Sequence, residues 1–135
     1  MGCGRVGARL ALMMTHANHE VTIMDIKSSA FSRLGSDFRG STILGNGIDQ
    51  EVLRRAGIER ADAFVAATQG DNRNIMASQI AKHVFGVKRV VTRVYDPLRS
   101  DTFAALGLQA ISQTIIGANS FYEELTGESA PKLPV

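Results

Sequence analysis

The first seven residues constrain this chain more than anything that follows them. Gly2-Cys3-Gly4-Arg5-Val6-Gly7 has the spacing G-x-G-x-x-G. In such a run the first glycine permits a tight turn and the second lets the backbone approach a pyrophosphate. The third lets the next helix pack close to a sheet. The helix opening there aims free N–H groups and the positive end of its dipole at phosphate. With 13 glycines in the chain, the spacing alone carries little. It gains force from Asp25, which closes the β-branched run after Glu20. An acid roughly 20 residues past the motif is placed to bind the hydroxyl pair of a ribose.

Two hydrophobic periods alternate along the rest of the chain. Val6, Leu10, Met13 and Met14 fall on one helical stripe, and residues 20–25 then read as a strand. A short helix is expected over Ser28–Leu34, a strand over Ser41–Leu44, and a helix capped by Asp49 through Ala56. Ala63–Ala67 is a continuous apolar strand, followed by a polar turn and a helix over about 73–85. Arg89–Val94 reads as a strand. Asp96-Pro97 is an N-cap with proline at the first helical position, and that helix runs to Leu106. A last short strand (Gln109–Ser112) and a final helix (Ala118–Leu125) complete the pattern. Strict alternation with apolar strands predicts an α/β fold, a Rossmann-like doubly wound parallel sheet with helices on both faces.

In that fold the motif follows a central first strand, yet here it begins at residue 2. Without that strand its two neighbours would face each other across unpaired edges, which is costly. The expectation is that about five to seven further residues precede Met1, with Met1 closing the missing strand.

Composition excludes several classes. A chain of 135 residues is one ordinary domain, and 44% hydrophobic with 21% charged residues is globular in character. Residues 1–126 are expected to form the nucleotide-binding domain. Residues 127–135, with two prolines, read as a disordered tail or truncated linker. Lys and Arg total 15 against 13 Asp and Glu, a net charge of +2 with no basic block, which argues against nucleic acid. One cysteine excludes an internal disulfide and a cysteine-rich zinc site. No apolar run approaches the roughly 18 residues of a membrane span. The expected setting is cytoplasmic, with no direct membrane insertion.

A hydride-transfer enzyme needs a proton donor or acceptor near the nicotinamide. No Tyr-x-x-x-Lys pair exists: Tyr95 is followed four on by Arg99, and Tyr122 by Thr126. His16 and His19 fall at the turn after the first helix, away from the strand ends where ligands bind, and they lack a third metal ligand. His83 sits late on a helix, where it favours the dipole. No catalytic residue is assigned. An NAD-dependent oxidoreductase, or its isolated cofactor-binding fragment, is the alternative reading.

Several stretches stand in a telling order: GCGRVG at 2–7, HEVTIMD at 19–25, LGNGIDQEVLRRAGIERADAFVAAT at 44–68, GDNRNI at 70–75 and FGVKRVVTRVYDP at 85–97. Through them the chain resembles the nucleotide-binding regulatory domain of Trk/Ktr-type potassium uptake systems (the TrkA-N, KTN or RCK domain). The 44–68 stretch is the most specific, since a generic dehydrogenase has no reason to carry it. The resemblance implies a peripheral cytoplasmic subunit that binds NAD(H) or an adenine nucleotide (ATP, ADP or AMP) and gates an integral-membrane potassium transporter or channel. It further implies that Gly2, Gly4, Arg5, Val6 and Gly7 cradle phosphates, and that Asp25 holds the ribose with Ile26 and Lys27 beside it. Asn46, where many relatives have Asp, and Gly47 would border the adenine. Thr68, Asp71 and Asn74 would line the phosphate or second-nucleotide side, with Arg93 reaching in from its strand. No metal site is carried over, because the helix at 102–107 has no acid past Asp101. Relatives usually add a second small ligand-binding domain that does not occur within these residues. Phe121, Tyr122 and Leu125 leave an apolar face beyond the sheet, and in the family this helix crosses to a partner, so a homodimer or higher homo-oligomer is expected.

Overall fold

A computed structural model of the chain describes residues 1–133. Helices and strands alternate in the order α1 (Arg5–His16), β1 (Thr22–Asp25), β2 (Ser41–Leu44), α2 (Gln50–Arg55), β3 (Ala63–Ala66), α3 (Asp71–Gln79), β4 (Arg89–Val94), α4 (Ser100–Ala105), β5 (Gln109–Ser112) and α5 (Gln113–Thr126). Tight 3-10 turns cover Ser28–Leu34, Ile58–Arg60 and Pro97–Arg99, and a π turn over Ile80–Val84 continues α3. Side chains set several starts. Asp49 accepts from the Glu51 N–H at the start of α2, Asp96 from Leu98 N–H, and Ser112 from Ile115 N–H at the start of α5.

Every strand pair is parallel. β1 pairs with β2, while β4 lies between β3 and β5. The strands thus form two sheets, and Met1 and Gly2 run between them. The Met1 amino group donates to Val65 O at 2.7 Å and the Met1 carbonyl accepts from Ala67 N–H at 2.8 Å, both on the β3 side. Gly2 N–H donates to Met24 O of β1 at 2.8 Å. These two residues tie the two sheets together, Met1 to β3 and Gly2 to β1.

Alternate β1 residues enter separate cores. Ile23 packs with Cys3, Ala8, Ala11, Ala30 and Leu34, beneath α1 and the turn at 28–34. Met24 packs on the opposite face with Val52, Leu53, Phe64, Ala77 and Val90, beneath α2 and α3. The sheet is therefore covered on both faces, as a doubly wound fold requires.

The structure adds which side of α1 is buried and corrects the bounds of the last helix. The stripe Val6, Leu10, Met13 and Met14 is not the buried side of α1. Gly7, Ala8, Ala11 and Thr15 are, because α1 lies so close to the sheet that only small residues fit beneath it. The final helix is longer than Ala118–Leu125: it begins at Gln113, directly off β5, because Ser112 caps it. Of the expected tail, residues 134 and 135 lie outside the described residues.

Candidate functional site

The carboxyl ends of β1 and β3 converge on the loop Met1–Gly4, and each glycine of the loop has its own steric reason. Gly2 has φ +97°, and an added Cβ would meet the Ala67 carbonyl at 3.0 Å. A Cβ at Gly7 would lie 1.8 Å from Gly2 O, so the first turn of α1 packs against the loop itself. A Cβ at Gly4 would meet nothing within 4 Å. The loop is thus closed on the protein side at Gly2 and Gly7 and open outward at Gly4. No side chain caps α1, so its first N–H groups face that open side unused. Arg5 and Val6 are exposed on the first turn.

Asp25 fixes the loop. Its Oδ2 accepts from Cys3 N–H at 2.8 Å and its Oδ1 from Lys27 N–H at 2.9 Å. A carboxylate has about four lone-pair positions, so two remain for hydroxyl donors. Ile26 and Lys27 stand exposed beside it. Asn46 is exposed and accepts from Ile48 N–H at 3.2 Å, an Asx turn after β2. Gly47 is buried, because an added Cβ would strike the Met1 side chain at 2.1 Å.

A second group is drawn together at the ends of β3 and β4. Asn74 is fully buried, and all of its polar capacity is engaged inside the protein. Its Oδ1 accepts from Thr68 N–H at 3.0 Å and Thr68 Oγ1 at 2.6 Å. Its Nδ2 donates to Thr68 O at 3.0 Å and Arg93 O at 3.1 Å. Asp71 is similarly enclosed: its oxygens accept from Tyr95 N–H at 2.7 Å and Asp96 N–H at 3.0 Å. Asn74 and Asp71 therefore sit behind the surface and hold it in shape, while Thr68 and Arg93 remain partly exposed. The Arg93 guanidinium lies over the Tyr95 ring at 6.0 Å, and its buried Nε has no hydrogen-bond partner among the described residues.

Sequence reading missed Arg33. Its Nη1 reaches Cys3 O at 3.5 Å, because the 3-10 turn at 28–34 folds back over the loop; no spacing rule signals that return. Cys3 itself is a packing residue. Burial raises its thiol above the ordinary value, Asp25 pushes the same way, and Arg33 and the terminal ammonium oppose them. Among the described residues no three His, Cys, Asp or Glu side chains gather as a metal site, and no helix is long and apolar enough to cross a membrane.

Known proteins share both the sequence and the architecture. The chain is 41% identical over 133 residues to the Trk system potassium uptake protein TrkA of Streptomyces coelicolor, covering 98% of this chain and 60% of that protein. It is 35% identical over 103 residues to a TrkA homolog of Pyrococcus abyssi, covering 76% of this chain and 45% of that one. It thus spans roughly half of these curated relatives. The TrkA-N domain of the inner membrane protein ybaL from Escherichia coli superposes with a TM-score of 0.81 at 17% identity, over 92% of each chain. The Shewanella denitrificans Kef C-terminal domain in its AMP-bound form gives 0.79 at 20% identity, over 93% of this chain and 77% of that one. At such identities these two structures speak to the Rossmann-like fold alone. Residues 1–114 match the TrkA-N domain family, and the chain belongs to that family.

Proposed function

We propose that this chain is a nucleotide-sensing regulatory domain, not an enzyme. It binds NAD(H) or an adenine nucleotide across the carboxyl edge of the sheet and gates a membrane potassium transport partner. The observation that carries this reading is the Gly2–Gly7 loop: closed at its back, open at Gly4, and tied by Cys3 N–H to the acid that ends β1. Phosphate would lie over Gly4 and the start of α1, with Arg5 pairing to it as a fixed fork. The ribose would use the two free lone-pair positions of Asp25, which favours a free 2′-hydroxyl over a 2′-phosphate. Ile26, Lys27, Asn46 and Gly47 would border the adenosine. Thr68 and Arg93 would face the distal phosphates, held there by Asn74 and Asp71. The names of the curated relatives, both potassium uptake proteins, support the transport setting. The AMP carried by the Kef neighbour supports the ligand class.

Gating then follows from differential binding. Nucleotides that fill the Arg5 end of the cleft and those that do not favour different shapes of the assembled domains. A tenfold shift between shapes needs only about 1.4 kcal/mol of difference. The exposed side of α5, with Phe121 and Leu125 74% and 85% accessible, is the face through which two copies would join.

A thermal-shift panel of NAD, NADH, ATP, ADP and AMP, with NADP as the control, tests the reading. Stabilisation by one or more adenine nucleotides without nicotinamide turnover is the expected result. No stabilisation, or turnover of a nicotinamide substrate, refutes it. Arg5→Ala is expected to weaken triphosphate or dinucleotide binding more than AMP binding while leaving stability within about 0.5 kcal/mol. Equal losses across the three would remove Arg5 from the phosphate contact.

A further inference from the structure

We propose that the base end of the cleft reads its nucleotide with hydrogen-bond donors, Asn46 foremost, and therefore takes a 6-oxopurine nucleotide at least as well as an adenine one. This inference rests on the nucleotide reading above and specifies the base that the same site accepts.

Asn46 stands at the same edge as Asp25. In the parallel β1–β2 pair Asp25 lies opposite Leu44, and Gly45 N–H donates to Asp25 O at 3.0 Å. Asn46 follows at once, one strand spacing (about 4.8 Å) to the side of the acid, and it is exposed. The turn it opens decides which of its polar atoms faces outward. Asn46 Oδ1 accepts from Ile48 N–H at 3.2 Å, and the Asn46 carbonyl accepts from Asp49 N–H at 3.0 Å. The atom turned to Ile48 must be the oxygen, because a flipped amide would set N–H against N–H. The amide NH2 is left on the outer side, with no acceptor among the described residues.

The neighbouring side chains have the same polarity. Lys27 is exposed and its ammonium only donates. Ile26, half exposed, offers an apolar face that any purine ring covers equally. Asp25 is the acceptor at this edge, but it already takes Cys3 N–H and Lys27 N–H, and its remaining lone pairs go to the ribose. An asparagine usually reads adenine through both amide atoms, the oxygen accepting from the 6-amino group and the NH2 donating to N7. Here the oxygen is turned inward to Ile48, so the 6-amino group finds no side-chain acceptor. A 6-oxopurine instead presents two adjacent acceptors, O6 and N7. Both match the outward donors of Asn46 and Lys27. An aspartate at this position would keep the turn with one oxygen and present the other outward, reversing the preference.

The experiment titrates the chain and its Asn46→Asp variant with AMP and IMP, and with NAD and its hypoxanthine analogue. Each pair differs only at the six-membered rim of the base. The parent chain is expected to bind the hypoxanthine member at least as tightly as the adenine member. Asn46→Asp is expected to move the ratio about tenfold toward adenine. The ratio is the readout, because the added negative charge weakens both members of a pair alike. The variant's thermal midpoint checks that the turn is kept. A parent preference for adenine above about threefold, or a ratio that Asn46→Asp leaves unchanged, overturns the inference and leaves the nucleotide site standing. Binding of none of the four compounds overturns the nucleotide reading, and this inference with it.

Discussion

β3, β4 and β5 are bound by more than their own ladder, whereas β1 and β2 form a two-stranded ribbon attached through Met1, Gly2 and Asp25 and through Met24 in the shared core. In the first group Asn74 clips the ends of β3 and β4, Asp71 holds the chain leaving β4, and Thr92 Oγ1 donates to Ser78 Oγ at 2.7 Å inside the core. In the second, the β1–β2 pair exposes Thr22 and Leu44, and isolated two-stranded pairs are marginal in water. The glycine loop sits where the two groups meet. Its geometry therefore depends on the join, and a ligand that bridges Asp25 and the start of α1 would strengthen that join.

The largest expected effect tests the well-held half. Asn74→Ala removes four hydrogen bonds from a fully buried site, takes the acceptor from Thr68 N–H, and leaves Thr68 O only the long contact from Arg93 Nη1 at 3.5 Å. A loss of about 3 kcal/mol in urea unfolding is expected. A loss below about 1 kcal/mol would mean the clip adds little and the two halves differ less than their bonding suggests.

The second effect reads the join through pH, in the chain beginning at Met1. Burial holds the Met1 amino group down to about 6, from 8.0, with Asp25 and then Cys3 acting in the opposite sense. The unfolded chain therefore binds more protons between pH 6 and pH 8, and stability rises with pH across that window. The gain is complete above pH 8 and lost as pH falls through about 6, and two pH units bound it at about 2.7 kcal/mol. Unfolding curves at pH 6, 7 and 8 measure the slope. Blocking the amine should flatten it; a slope unchanged by blocking assigns the effect elsewhere.

The smallest effect is the most local. Asp25→Asn keeps the shape but weakens the two N–H contacts, at a cost of about 1 kcal/mol. Hydrogen exchange should quicken in β1 and β2 and stay unchanged in β4 and β5. Uniform quickening would mean that the two halves open as a single unit.

Much of this molecule could be read in advance, where one residue's local chemistry decides. The turn at Gly2, the caps at Asp49 and Asp96, and the strands over Ser41–Leu44, Arg89–Val94 and Gln109–Ser112 stand where spacing and propensity put them. Hydrophobic period locates an apolar stripe on α1 but not the distance of that helix from the sheet. At close approach Ala8 and Ala11 are buried and Met13 is left 57% exposed. The candidate site was legible as a set of loops, not as a division of labour. Nothing in the order of residues separates Asn74, whose amide is consumed in holding Thr68 and Arg93, from Thr68, which stays partly exposed.

The sequence by itself determined the order of elements, the glycine loop and the acid paired with it, because each depends on contacts a few residues apart or on a fixed βα spacing. Tertiary structure alone decided that Arg33 returns to the loop and that Gly47 lies against Met1. Those are meetings of residues distant along the chain. They are set by how the two faces of the sheet pack, which no local pattern encodes.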